Sequence, residues 1–234
     1  RGGPDHRLNQ AHKNFASEVY TMGSVNLLLH PDDLTQTDLR RYKQKALAAG
    51  ISRCFEKSIG TPDDVVGWKT APTPALKAEA VFQYLQAGGW PPSLDVKNME
   101  NSLVDLVVAP ALDLWNTAAL VAVGAAYSCF QGVAAPQLQD TKLAVFWGVS
   151  ITTVPLPVSR LIFRTSGIAG NILALFDLEM LDAKDTQEGV FSEPVIIDPR
   201  QVFAAQVLAR IATGFLARVM LHNYVFEIAG RTVA

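Results

Sequence analysis

DPRQVFAAQVLARIATGFLARVMLHNYVFEI, residues 198–228, is the stretch on which the fold class turns. It opens with Asp198-Pro199-Arg200-Gln201: an Asp suited to an N-cap, a Pro suited to the first helical position, and a Gln placed to reach back to the cap. Ala204, Leu208, Ile211, Phe215 and Val219 come next at spacings of three and four, the helical period. Val207, Met220 and Val225 widen the apolar stripe. The pattern predicts one long helix running at least to Ile228, so apolar that neighbours must sandwich it. Asp198 should cap it and Phe215 should be fully buried. Arg210, Arg218 and His222 are its main polar interruptions. Each Arg then needs an acid, a carbonyl cluster or open solvent, with Asp177, Glu179 and Glu227 as the first acids to consider.

Upstream, Leu114 to Gln139 carries no charge over 26 positions, and Pro110 and Pro136 bracket residues 111–135. A helix of that length, about 37 Å, would cross a bilayer core of about 30 Å. Its Ala and Gly content, with Asn116 and Gln131 inside, fits a buried central helix better. Leu143 to Ser159 is also uncharged and alternates in a strand-like way around Val145, Trp147, Val149 and Ile151. Ile168–Leu181 reads as helix, residues 182–193 as a surface loop, and Val195-Ile196-Ile197 as a short extended piece.

The first part of the chain is more polar. Residues 1–12 read as a mobile arm broken by Gly2, Gly3 and Pro4. A helix is expected from Thr37 to Ala49, ended by Gly50. Thr61-Pro62-Asp63-Asp64 signals a short helix through Val66. Thr73-Pro74 opens another helix, with Ala78, Val81, Phe82 and Leu85 on one face and Gly88-Gly89 as its stop. Residues 86–97 look like a linker. The expected organisation is an arm over 1–12, a smaller charged helical unit over 13–90 and an apolar helical bundle over 98–234. The expected fold class is mainly α, a helical bundle with one or two short strands.

Composition narrows the function. Apolar residues make up 49% of the 234 and charged residues 18%. An ordinary soluble domain carries roughly 25% charged residues. Residues 101–234 hold 8 Lys/Arg against 11 Asp/Glu. So apolar a chain needs partners to cover it. No basic excess marks a nucleic-acid coat. Cys54 and Cys129 form neither a disulfide framework nor a zinc pattern, and His6, His12, His30 and His222 lack metal-ligand spacing. No cofactor is implied. Gly167-Ile168-Ala169-Gly170-Asn171 lacks the remainder of a phosphate loop, and Ser150 lacks the Gly two residues on that a nucleophile elbow needs. Asp177, Glu179 and Asp182 fit a solvated face. Arg40-Arg41-Tyr42-Lys43-Gln44-Lys45 is the densest basic patch and the one candidate for an anion or nucleic-acid contact.

These observations point to a non-enzymatic structural subunit of a large assembly, such as a viral capsid or coat shell, with partners that are copies of itself or other subunits. A second possibility is an accessory subunit of a membrane complex in an organelle, with its span near 111–135. A third is a helical enzyme or carrier of an apolar ligand. A virion or an organelle suits this reading best. The chain opens on Arg1 rather than Met, which fits a trimmed chain or a fragment, and residues 1–10 do not resemble a signal peptide.

Overall fold

The computed structural model describes residues 26–98, 116–130, 136–182, 186–213 and 216–230, without the side chains of 97–98, 116–119 and 216. It overturns the helical bundle. Among the described residues the chain is mostly β, in two antiparallel sheets, with two α-helices packed outside one of them. The large sheet contains β1 (Leu28–Leu29), β8 (Glu188–Ile197), β5 (Leu143–Ile151), β10 (Leu216–Ile228) and β2 (Leu94–Asn98) in that order, and β3 (Asn116–Ala119) also pairs with β10. The small sheet orders β4 (Ala126–Ser128), β9 (Phe203–Ala209), β6 (Val158–Thr165) and β7 (Ile172–Asp177). The helices are α1 (Gln36–Glu56) and α2 (Pro74–Gln86).

The run 198–228 is two strands joined by a turn. β9 sends Phe203, Ala205, Val207 and Ala209 into the core at a period of two, and β10 does the same with Ala217, Val219, Leu221 and Val225. Asp198 does not cap a helix. The Gln201 side chain does accept the Asp198 N–H at 2.9 Å, as in half of a capping box. But Gln201 N–H closes a turn onto the Asp198 carbonyl at 3.1 Å, and Arg200 takes a left-handed φ of 61°. The chain then turns into the sheet. Phe215 lies outside the described residues.

Two other helices expected from sequence are also β. Within 111–135, residues 116–119 and 126–128 are β3 and β4, and residues 111–115 and 131–135 lie outside the described residues. No helix among the described residues is long and apolar enough to cross a membrane. Residues 168–181 supply β7 and a 3-10 turn at Glu179–Leu181. The capsid and coat-shell expectation leaned on the over-wide C-terminal helix. That helix is absent, and nothing in the two-sheet fold points to a capsid or a virus.

The N-terminal helices follow their sequence signals more closely. Thr73 caps α2 by accepting the Leu76 N–H, with Pro74 at the first position. Thr35, rather than Thr37, caps α1, accepting the Asp38 N–H at 3.1 Å. Gly50 does not end α1, which continues to Glu56. Instead the helix touches the sheet there: a Cβ on Gly50 would lie 2.4 Å from the Phe226 ring and 2.8 Å from Val145. The Thr61-Pro62 signal yields only a 3-10 turn, Pro62–Asp64.

Two cores result. Between the sheets sits a cluster of phenylalanines, with Phe146, Phe163, Phe176, Phe191 and Phe203 in ring contact. Between the large sheet and the helices sit Ile51, Cys54, Phe55, Val81, Phe82 and Phe226. β5 belongs to both. All nine of its residues are buried, with Ala144, Phe146, Val149 and Ile151 in the first core and Leu143, Val145 and Trp147 in the second. The register of β5 against both its neighbours slips around Trp147, the signature of a bulge.

Candidate functional site

The strand connections gather exposed apolar side chains at one end of the sandwich. Gly124 N–H, in the β3–β4 turn, donates to Ala209 at the end of β9. Arg210 and Ile211 N–H groups donate to Pro157 in the β5–β6 loop, and Thr152 N–H donates to Arg218 on β10. The three connections are therefore knitted side by side. They carry Val121 at 70% exposure, Val123 at 67% and Val154 at 79%, with Ile211 also exposed. Met180 is exposed on the nearby 3-10 turn, where Leu178 N–H donates to Ser159 in β6.

The helix layer stops short of this end and leaves a cleft of about 480 Å³ on the outer face of the large sheet. Ser150, Thr152, Val154, Asp182, Thr186 and Glu188 are among its lining residues. His30 fixes one wall. It is fully buried, its Nδ1 accepts the Asp32 N–H at 3.1 Å, and its Nε2 lies 2.8 Å from the Thr186 carbonyl. Those bonds require the tautomer protonated at Nε2.

Ser150 Oγ lies 2.7 Å from His222 Nε2. A hydroxyl against an imidazole is the geometry of a nucleophile and its base. Here Ser150 is only 3% exposed, so the bond ties β5 to β10 rather than presenting the hydroxyl to solvent. The His222 ring stacks on Trp147 at 4.9 Å, and the Lys43 ammonium lies 4.6 Å from the centre of the same indole. Lys43 is thus half-buried in a cation–π contact, while Arg40, Arg41 and Lys45 point to solvent. The basic patch divides by side: one member holds α1 to the sheet and three remain on the surface.

Asp198 sits at the far end of α1. Arg53 donates to both its oxygens, at 2.8 and 2.6 Å, and Lys57 lies 3.0 Å away. Burial by itself would raise the Asp198 carboxyl, but the bonds and charges of Arg53 and Lys57 outweigh it and hold the group below its ordinary 3.8. The clamp therefore contributes fully above pH 3.8 and is lost as pH falls through the lower folded value. Replacing Asp198 with Asn should cost on the order of 1 kcal/mol at neutral pH, since the pair is partly solvated. Denaturation midpoints measured across pH should show the difference from wild type closing below about pH 4. A difference independent of pH would mean that the carboxylate charge contributes nothing.

Arg210 finds Asp182 at 2.6 Å, not one of the three acids expected from sequence, although Glu179 adds its charge nearby. The bond from Asp182 raises the Arg210 pKa. Arg218 is exposed, and its N–H donates to Thr153 Oγ1 at 3.0 Å. Both arginines stand at the loop end, Arg218 on β10 and Arg210 just beyond β9. Burial pushes the Cys54 and Cys129 thiols well above their usual range, so neither is a ready thiolate. Among the described residues no group of three His, Cys, Asp or Glu side chains is placed to hold a metal ion. Trp147, Glu188 and the three exposed valines carry no motif, and only the fold brings them into view. No protein-family model matches the sequence, and no curated protein matches it.

Proposed function

We propose that the protein is a non-enzymatic structural subunit that assembles with further protein chains through the loop end of its sandwich. One observation carries the reading: Val121, Val123 and Val154, each exposed by two-thirds or more, stand on adjoining turns. Apolar side chains scattered singly over a surface are ordinary, whereas a contiguous group marks a contact. Such a patch loses water-exposed area only when another molecule covers it, which at about 25 cal/mol per Å² favours association. The low charge of the whole chain argues in the same direction.

Sedimentation velocity on the purified chain at micromolar concentration tests this. The wild type should run larger than a monomer. Exchanging Val121, Val123 and Val154 together for Ser should return it to a monomer with an unchanged melting temperature, since these side chains face solvent within the chain. A wild-type chain that stays monomeric as concentration rises overturns the reading.

A further inference from the structure

On one side of the sandwich the sheets end in β1 and β7. Asn26, two residues before β1, bridges them by donating its N–H to the Leu175 carbonyl on β7 at 3.2 Å. β1 covers little of β8: Leu28 and Leu29 pair with Phe191 and Val190, and Ser192 N–H donates to Leu27. Past Ser192, β8 has no strand on that side among the described residues, and β7 has none beyond β6. Between these two bare edges and the helices lies a cavity of about 530 Å³. Ala49 on α1, Pro74 and Ala78 on α2, Leu173 on β7 and Ile196 on β8 line it. Its charged wall is already matched, because Arg53 bonds both Glu56 and Asp198. What stays uncovered is apolar, with Leu173 and its neighbour Ile172 both exposed.

We infer that the occupant is this chain's own segment 19–25, added as a strand along the bare edge with Tyr20 and Met22 in the cavity. β1 runs antiparallel to β8, so the chain upstream of Leu28 heads toward the Ile196 end of β8, where the cavity lies. β7 runs alongside: Phe176 stacks on Phe191, and Leu173 shares the cavity with Ile196. Asn26 stands at Leu175, so at about 3.3 Å per extended residue Ser24 comes level with Leu173 and the residues before it reach the cavity. The sequence supplies 25 residues ahead of Asn26, more than this path uses. Val19-Tyr20-Thr21-Met22-Gly23-Ser24-Val25 carries no charge, and Val19, Tyr20, Thr21 and Val25 suit a strand. Tyr20 and Met22, two positions apart, share one strand face. A bare edge offers unpaired N–H and C=O groups, and a segment that adds to it satisfies them while its side chains fill the adjoining pocket. The docking does not rest on the loop-end contact, since Glu188 in the loop-end cleft and Ile196 here stand near opposite ends of β8.

Amide hydrogen exchange on the full chain, read by mass spectrometry over residues 19–25, tests this. In the wild type these amides should exchange at least about tenfold more slowly than those of an unstructured chain. Leu173→Arg puts a charge at the cavity wall and should remove that protection, with circular dichroism unchanged because Leu173 is exposed. Met22→Asp should remove it equally, from the side of the segment. Ile168→Arg, exposed on the β6–β7 turn and away from the cavity lining, should leave it intact. Wild-type exchange at the unstructured rate overturns the docking. So does protection that survives both Leu173→Arg and Met22→Asp. Protection that disappears when the chain is diluted about a hundredfold overturns it in favour of the same segment arriving from a second copy.

Discussion

Phe163→Ala should lower the unfolding free energy by about 3–5 kcal/mol, a large share of the roughly 5–15 kcal/mol that holds an ordinary domain together. Phe163 is fully buried on β6 between the two sheets. Its ring lies 5.2 Å from Phe146, 6.1 Å from Phe191 and 6.3 Å from Phe176. Those partners come from β5, β7 and β8, so the deleted ring touches both sheets. Removing it forfeits the transfer energy of the side chain and leaves a cavity that strands paired on both sides cannot close. The midpoint of urea unfolding reads the effect. A loss under about 1 kcal/mol would mean that the sheets slide together to refill the space, and that the phenylalanine cluster is not close-packed.

Gly50→Val should also destabilise the protein, although by helix propensity a Gly within α1 ought to be improved by substitution. Leaving Gly gains at most about 1 kcal/mol in a helix interior. Against that gain, the new Cβ would stand 2.4 Å from Phe226 Cε2 and 2.8 Å from Val145 Cγ2, both on buried side chains of the large sheet. Overpacking of this kind costs about 1–3 kcal/mol, and the added methyl groups of Val push toward the upper end. Alanine at the same position separates the two effects, since it keeps the propensity gain with the smallest clash. Both variants should be less stable than wild type by denaturant titration, Val more so than Ala. A more stable Gly50→Ala protein would show that the helix can ride up from the sheet at little cost.

The start of α2 was legible because its signal is a statement about one helix end, whereas Gly50, read as the stop of α1, lies inside that helix. Thr73-Pro74 describes a cap and a first turn, and the chain obeys it. Asp198-Pro199-Arg200-Gln201 is the instructive failure. Its chemistry is as much that of a tight turn as of a helix start, and the Gln201 bond to the Asp198 N–H forms in a turn that leads to a strand. Beyond this turn, period alone does not separate helix from strand. β9 is buried on nearly all its positions and β5 on every one, so the alternation that would reveal a strand is erased. Apolar residues placed everywhere satisfy a spacing of three and four by default. Phe203, Ala205, Val207 and Ala209 also satisfied a spacing of two, and the sheet selected that one.

The contact surface was less legible still. Low charge announced that something must cover the chain, but which part was hidden in topology. Val121 and Val154 stand 33 positions apart, on two turns that are each hydrogen-bonded to the segment Ala209–Ile211.

Because β5 forms a wall of both hydrophobic cores, neither core can melt alone. Lifting α1 and α2 away would strip one face of a strand whose other face is still packed, and parting the sheets would do the reverse. Each partial state keeps part of the ordering cost while losing one face's burial, so intermediates are poor in free energy and the layers are coupled into a single cooperative unit. The same arrangement makes folding slow. β5 must find β10 from a distance such as that between Ser150 and His222, 72 positions, and must find β8 as well, before either face is rewarded. The chain therefore passes through a long interval with β5 unpaired and exposed, a time at which it depends on dilution or on helpers to avoid sticking to its own kind.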